Sequence, residues 1–152
     1  MKKTLFALAM LCAAVVGAEI QQTLVIIKPD AVNAKHIGNI ISRYENSDLK
    51  IDKIQLMQFT PAIAKEFYIE HKDRPFYSDL VGAMSACPVV VMVVEGDNAI
   101  TKNRQMIGAT DPAEADKGTL RAEFGASKQA NAVHGSDSPQ AAAREIKLLF
   151  TK

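Results

Sequence analysis

The sequence predicts an α+β fold, a ferredoxin-like α/β sandwich in which a four-stranded antiparallel sheet carries packed helices and one long loop. Three observations carry this reading. Apolar, β-rich runs alternate with segments of helical periodicity along most of the chain. The length, 152 residues, fits one ordinary domain able to bury a real core. The composition, 48% hydrophobic and 23% charged, is close to globular averages, so one core can be filled.

The elements follow in order from Glu19. "TLVIIK" is a short β-rich run stopped by Pro29 and reads as a buried strand ending at Lys28. "HIGNIISRYE" places Ile37, Ile40, Ile41 and Tyr44 at helical spacing. "LKIDKIQLMQF" alternates apolar with polar residues and reads as a half-buried strand. Thr60 as N-cap and Pro61 at the first helical position open the next helix, supplied by "AIAKEFYIEHK". "PVVVMVVE" is a third, very apolar strand. "NAITKNRQMIG" reads as a helix with Asn98 near its cap and Gly108 as its stop. Residues 108–130 are poor in periodic apolar residues and read as a loop, and long ordered loops in compact domains are usually functional. "NAVHG" supplies a short fourth strand, and the last helix starts near Ser138 and Pro139 and runs through "AAAREIKLLF".

The first eighteen residues have another character. "MKK" is a basic start, "TLFALAMLCAAVV" is an apolar run of 13 residues, and "VGA" offers small residues just before Glu19. That is the three-part form of a secretory signal peptide. The run is short for a membrane span of about 20 residues. The expected organisation is a signal-peptide-like segment 1–18 and a folded domain 19–152, with cleavage after Ala18. The mature protein would then be periplasmic or secreted and keep no membrane-inserted segment. An uncleaved anchor, or an extension created by a misplaced start codon, is the alternative reading. Cleavage would remove Cys12 and leave Cys87 alone, so no intrachain disulfide could form. The net charge of +1 gives no drive toward nucleic acid.

The polar inventory points to phosphate chemistry. Lys28 ends the first strand, Arg104 sits in a helix, Thr110 lies just beyond its stop, Arg121 is in the long loop, and Asn131 and His134 are on the last strand. Taken singly, these suit a solvated strand end, a helix-surface charge, a loop salt bridge and an exposed histidine. Together they supply what phosphoryl transfer needs: cations and hydroxyls for phosphate oxygens, and a nucleophile. No "GxxxxGK[ST]" occurs, which excludes a P-loop. The substantial nucleophile candidates are His134 and the hydroxyls around it.

"TLVIIKPDAV", "EHKDRPFY", "GATDP", "GTLRAEFG" and "NAVHGSDS" followed by "REI" resemble nucleoside diphosphate kinase over about residues 22–150. The resemblance implies an enzyme that moves the γ-phosphoryl group from a nucleoside triphosphate, typically ATP, to a nucleoside diphosphate. It does so by ping-pong through a phosphohistidine, here His134 phosphorylated at its pros nitrogen, and so maintains nucleotide pools. By the same resemblance Glu145 holds the ring, Ser136 supports that contact, and Tyr68 lies close to the nucleophile. Lys28 and Asn131 reach the ribose, while Arg104, Thr110 and Arg121 hold the phosphates. Phe76 stacks on the base with Leu80 beside it; a core position after Pro75 is the other reading of Phe76. Gly135 is expected to remove a side chain where phosphate approaches.

Mg2+ is the implied cofactor, carried by the nucleotide phosphates with no direct protein ligand, as this hard ion prefers. Asp137 offers an outer-shell contact or, alternatively, a helix cap. In that family a short C-terminal end accompanies tetramers and longer ends support hexamers, so a homotetramer built from dimers is expected. The family is usually cytoplasmic, which sets the signal-like start apart. Two other functions fit parts of the pattern: an exported interaction protein retaining the kinase fold, and another phosphohistidine phosphotransferase.

Overall fold

The structure is a computed structural model and describes residues 19–151; the signal-like segment 1–18 lies outside the described residues. Its sheet has strands β1 (Ile20–Ile27), β2 (Lys50–Met57), β3 (Val89–Asp97) and β4 (Val133–Gly135). The spatial order is β2-β3-β1-β4, and every neighbouring pair is antiparallel. The helices are α1 (Pro29–Asn33), α2 (Ile37–Glu45), α3 (Pro61–Phe67), α4 (Tyr77–Ala86), α5 (Ala99–Ile107), α6 (Leu120–Phe124) and α7 (Pro139–Phe150). β1 and β2 run parallel with β3 between them, and β3 and β4 run parallel with β1 between them. Two split βαβ units are therefore interlocked, the topology expected from the alternation of elements.

Helices cover both faces of the sheet. On one face Val25, Ile27, Met92 and Val133 pack with Ile40 and Tyr44 of α2, Ile107 of α5 and Leu120 of α6. On the other, Leu24, Ile26, Val91 and Val93 pack with Phe67 of α3, Met84 of α4 and Leu149 of α7. Because the central strands β1 and β3 are buried on both sides, they read as unbroken apolar runs. β2 is an edge strand and its faces are wetter, with Ile54 49% and Leu56 65% exposed.

The capping chemistry mostly follows the sequence. Thr60 Oγ1 accepts the Ile63 N–H at 3.2 Å, and Ser138 Oγ accepts the Ala141 N–H at 3.1 Å. Gly108 ends α5 at φ 83°, and a Cβ there would collide with Thr119. Asn98 stands at the N-cap position of α5 but is left-handed, φ 51°, and its side chain makes no capping bond.

Four local expectations are corrected. α3 ends at Phe67 and gives way to a 3-10 turn at Ile69–His71, so it does not continue through Lys72. α4 had no counterpart in the sequence reading, because Gly82 and small or polar residues dilute the stripe made by Tyr77, Leu80, Val81 and Met84. The long loop contains a 3-10 turn at Pro112–Glu114 and α6, so Arg121 is on a helix; five residues are too few to show a period. Pairing of the fourth strand starts at Val133, which leaves Asn131 in the turn before it.

Candidate active site

β4 has three residues, and its pleat decides which side chains meet. Val133 and Gly135 face α5, while His134 points to the other face, toward α7 and the end of α3. A Cβ on Gly135 would strike Asn103 and stand 3.1 Å from Ile107 Cδ1. The glycine is thus required by close strand–helix packing on the core side, which replaces the expectation of phosphate approach.

His134 is mounted by α7. Its Nε2 lies 3.0 Å from Glu145 Oε2, and the Ser136 hydroxyl donates to the same oxygen at 2.7 Å. Ser136 is buried and in turn accepts the Leu24 N–H from β1 at 3.1 Å. Arg144 brackets the other carboxylate oxygen, with Nη2 3.8 Å from Glu145 Oε1, and donates from Nη1 to the Phe67 carbonyl at 3.2 Å. A carboxylate only accepts, so the histidine nitrogen facing it carries the proton and Nδ1 keeps its lone pair. Two aromatic edges wall the imidazole: Phe67 at 5.0 Å and Tyr68 at 6.2 Å between centroids. Burial, and then the Glu145 carboxylate, push the Tyr68 phenol above its ordinary range, so it stays protonated at neutral pH.

The cations stand around this mount. Lys28 caps α1 directly after β1 and is buried, and its Nζ donates to the Gln129 carbonyl at 2.8 Å and Asn131 Oδ1 at 2.9 Å. Asn131 Nδ2 donates onward to the Thr110 carbonyl at 2.9 Å. Desolvation by burial lowers the Lys28 pKa to about 8, Asp30 opposes that fall, and Arg121 adds to it. Arg121 reaches from α6 to the Gly108 carbonyl at 3.1 Å and the Val133 carbonyl at 3.0 Å, while its buried Nε has no partner among the described residues. Burial, and then the neighbouring Arg104 guanidinium, lower the Arg121 pKa to about 10. A second guanidinium set beside the buried Arg121 suits a site that receives anions. Arg104 and Thr110 are exposed, and Arg104 shares an open cleft with Asp116, Thr119 and Asp137. Asp137 is exposed, and the cap of α7 is Ser138 rather than Asp137.

Phe76 stands at the N-cap position of α4 and is 40% exposed, so the core reading of this ring does not hold. Leu80 lies one turn along, and its N–H donates to the Phe76 carbonyl at 2.9 Å. A chain of rings joins Phe76 to His134: His71 is 5.7 Å from Phe76 and 6.2 Å from Tyr68. The Arg74 guanidinium lies 5.8 Å from the Phe76 ring centroid. Sequence reasoning missed Asp30, Phe67, His71 and Arg144. Of these, Asp30, His71 and Arg144 sat in quoted motifs, "TLVIIKPDAV", "EHKDRPFY" and "REI", where they could have been noticed.

Comparison with known proteins accords with this geometry. The sequence model of the family described as nucleoside diphosphate kinase matches residues 21–152. Nucleoside diphosphate kinase 1 of Protochlamydia amoebophila is 58% identical over 130 residues, 86% of this chain and 92% of that protein. The Francisella philomiragia nucleoside diphosphate kinase is 54% identical over 131 residues, 86% of this chain and 94% of that protein. Among solved structures, the Aquifex aeolicus nucleoside diphosphate kinase superposes with a TM-score of 0.85 at 43% identity, covering 88% of this chain and 96% of that one. The Halobacterium salinarum enzyme, solved in complex with CDP, also gives 0.85, at 39% identity over 88% of this chain and 90% of that one. The chain belongs to the nucleoside diphosphate kinase family, enzymes that transfer phosphoryl groups between nucleoside triphosphates and diphosphates.

Proposed function

We propose that His134 is the nucleophile of a two-step transfer and that its Nδ1 carries the phosphoryl group between the steps. In the first step the Nδ1 lone pair attacks the γ-phosphorus of a nucleoside triphosphate. The bond to the oxygen bridging the β-phosphorus breaks, and the diphosphate leaves with that electron pair. In the second step a terminal oxygen of another nucleoside diphosphate attacks the phosphorus, and the electron pair of the P–N bond returns to Nδ1. The proton on Nε2 stays in place throughout. As the ring gains positive charge, the Glu145 carboxylate 3.0 Å from Nε2 stabilises it.

The observation that carries this reading is the shared oxygen of Glu145, which takes both the His134 ring and the Ser136 hydroxyl and leaves Nδ1 free. Lys28 and Asn131 would grip the ribose hydroxyls, and Arg104, Thr110 and Arg121 the phosphates. Tyr68 would stay beside the nucleophile, and Phe76 with Leu80 would stack the base. The donor set suits Mg2+ that enters with the nucleotide: cations and neutral groups dominate, and Asp116 and Asp137 are exposed carboxylates in the cleft with Arg104. When bound, the ion neutralises charge between the β- and γ-phosphates. The test is isomer analysis of the phosphorylated protein by phosphorus and nitrogen NMR. The pros isomer at His134 is expected, and the tele isomer would sink the assignment of Glu145.

Two broader parts of the reading rest on less local features. We propose a tetramer assembled from dimers, with the exposed edge β2 and its Ile54 and Leu56 as the dimer contact. Light scattering should give the mass of four chains, and Leu56→Lys should lower it. We also propose export directed by residues 1–18, supported by their sequence form and by a family match that starts at Gln21. The N-terminal mass of protein from its native cells decides this: a chain starting at Glu19 outside the cytosol is expected, and a full-length cytosolic chain would refute it.

A further inference from the structure

The residue that joins the ribose contact to the nucleophile strand is strained. Ala132 has φ 68°, a left-handed conformation in a residue that carries a Cβ. The Val133 N–H donates to the Asn131 carbonyl at 2.8 Å, which closes a three-residue γ-turn around it. This form of γ-turn is rare and unfavourable, and it persists only where its surroundings hold it. Here the corner between β1 and α1 takes both backbone groups of Ala132. The Lys28 N–H donates to its carbonyl at 2.8 Å, and its own N–H donates to Asp30 Oδ2 at 2.9 Å. The first bond is backbone to backbone, so Asp30 is the side chain that pins the turn.

The turn lies between two parts of the site. On one side Asn131 spans Lys28 Nζ and the Thr110 carbonyl; on the other, two residues along, stands His134. We infer that Asp30 is a positioning residue: by holding the left-handed turn at Ala132 it sets Asn131 and Lys28 at a fixed place relative to the His134 ring. The inference rests on His134 being the nucleophile. A competing role for the same carboxylate is its charge, which raises the pKa of Lys28.

The test measures steady-state exchange and the rate of phosphoenzyme formation in the full chain. The variants are Asp30→Ala and Asp30→Asn, each with and without Ala132→Gly. Asp30→Ala should lower kcat and the phosphorylation rate about tenfold or more, since small misplacements of reacting groups are costly. The KM for nucleotide should move less than about threefold, because the phosphate contacts remain. Asp30→Asn keeps an acceptor for the Ala132 N–H and should stay within about threefold of wild type. In the Ala132→Gly background a left-handed residue is no longer strained, so the loss caused by Asp30→Ala should shrink to about threefold or less.

The inference is overturned if Asp30→Ala costs the same factor in both backgrounds, or if Asp30→Asn is as damaging as Asp30→Ala. That second result would assign the effect to charge on Lys28. Should Asp30→Ala not fold, Asp30→Asn decides alone: near-wild-type turnover supports the hydrogen bond, and a loss of about tenfold overturns it. Failure of His134→Ala to abolish exchange would instead sink the reading of the nucleophile, so the two failures are distinguishable.

Discussion

The two ends of the site are built on different terms. At one end, that of the proposed nucleophile, His134, Ser136 and Glu145 form a network in which one carboxylate oxygen takes two donors, and Ser136 and Glu145 are buried. At the other, the proposed base end, Phe76 is 40% exposed and its neighbours are His71, Leu80 and the Arg74 guanidinium. The first arrangement fixes direction, because a hydrogen-bonded ring has one useful orientation. The second offers a flat apolar surface with little directional demand, and every nucleobase has a π-face. The contrast teaches what the proposed roles would make of the site: strict about the atom that receives phosphate, permissive about the base attached to it.

The sharpest way to break that contrast is to remove the proposed nucleophile. His134→Ala should abolish exchange and should give no labelled protein with radioactive ATP, whereas wild type should give an acid-labile, base-stable phosphoprotein. Label that persists in the variant would move the chemistry to a hydroxyl.

Next come the cations proposed to hold phosphate. Arg121→Ala and Arg104→Ala should lower kcat by about 10²-fold, a magnitude typical of lost transition-state charge stabilisation. Arg121→Ala should also lower the melting temperature, since its guanidinium ties α6 to the Gly108 and Val133 carbonyls.

Phe76→Ala sharpens the tolerant side. It should weaken ATP, GTP, CTP and UTP alike by about fivefold or somewhat more, for roughly 1–3 kcal/mol per stacked base and a partly exposed ring. A loss confined to purines would reveal directional base recognition that the exposed ring does not suggest.

The smallest effect is expected from Lys28 and pH. Its pKa is lowered to about 8, so the free enzyme loses this positive charge as pH rises through that value. The pH profile of kcat/KM should therefore fall above about pH 8, by about fourfold half a unit higher. Stability should move the other way. An unfolded lysine binds more protons than the buried one between about pH 8 and 10.5, so the unbound protein should gain stability across that window. A profile flat to pH 9 would mean that Lys28 is better solvated than its burial implies.

What the sequence revealed divides along physical lines. The strands β1 and β3 were plain because both faces are buried and the apolar runs are unbroken, and α2 and α7 were plain because each carries an amphipathic stripe and α7 a clear cap. α4 and α6 were not, one because small residues blur its stripe and the other because five residues hold little more than one turn. The candidate site residues were legible as a group from their motifs, and the fold brings His134 to Glu145 and Ser136, and Lys28 to Asn131. Their supports were not: Asp30 acts through a backbone N–H 102 positions away, and Arg144 through a carbonyl on α3. Gly135 shows the same limit, since its motif suggested a ligand and its packing shows a helix.

The brevity of β4 has a consequence for inheritance. His134 and Ser136 share one face because they are two residues apart, and Gly135 between them fits against α5 on the other. Gain or loss of a single codon within this stretch would turn the imidazole toward Asn103 and Ile107 and bring a neighbour to Glu145 in its place, because side chains alternate strictly along a strand. Point substitutions here can be graded in their harm, but a length change of one has no mild form. Drift in the length of this gene should therefore collect elsewhere, in the exposed turns far from the β4 edge of the sheet.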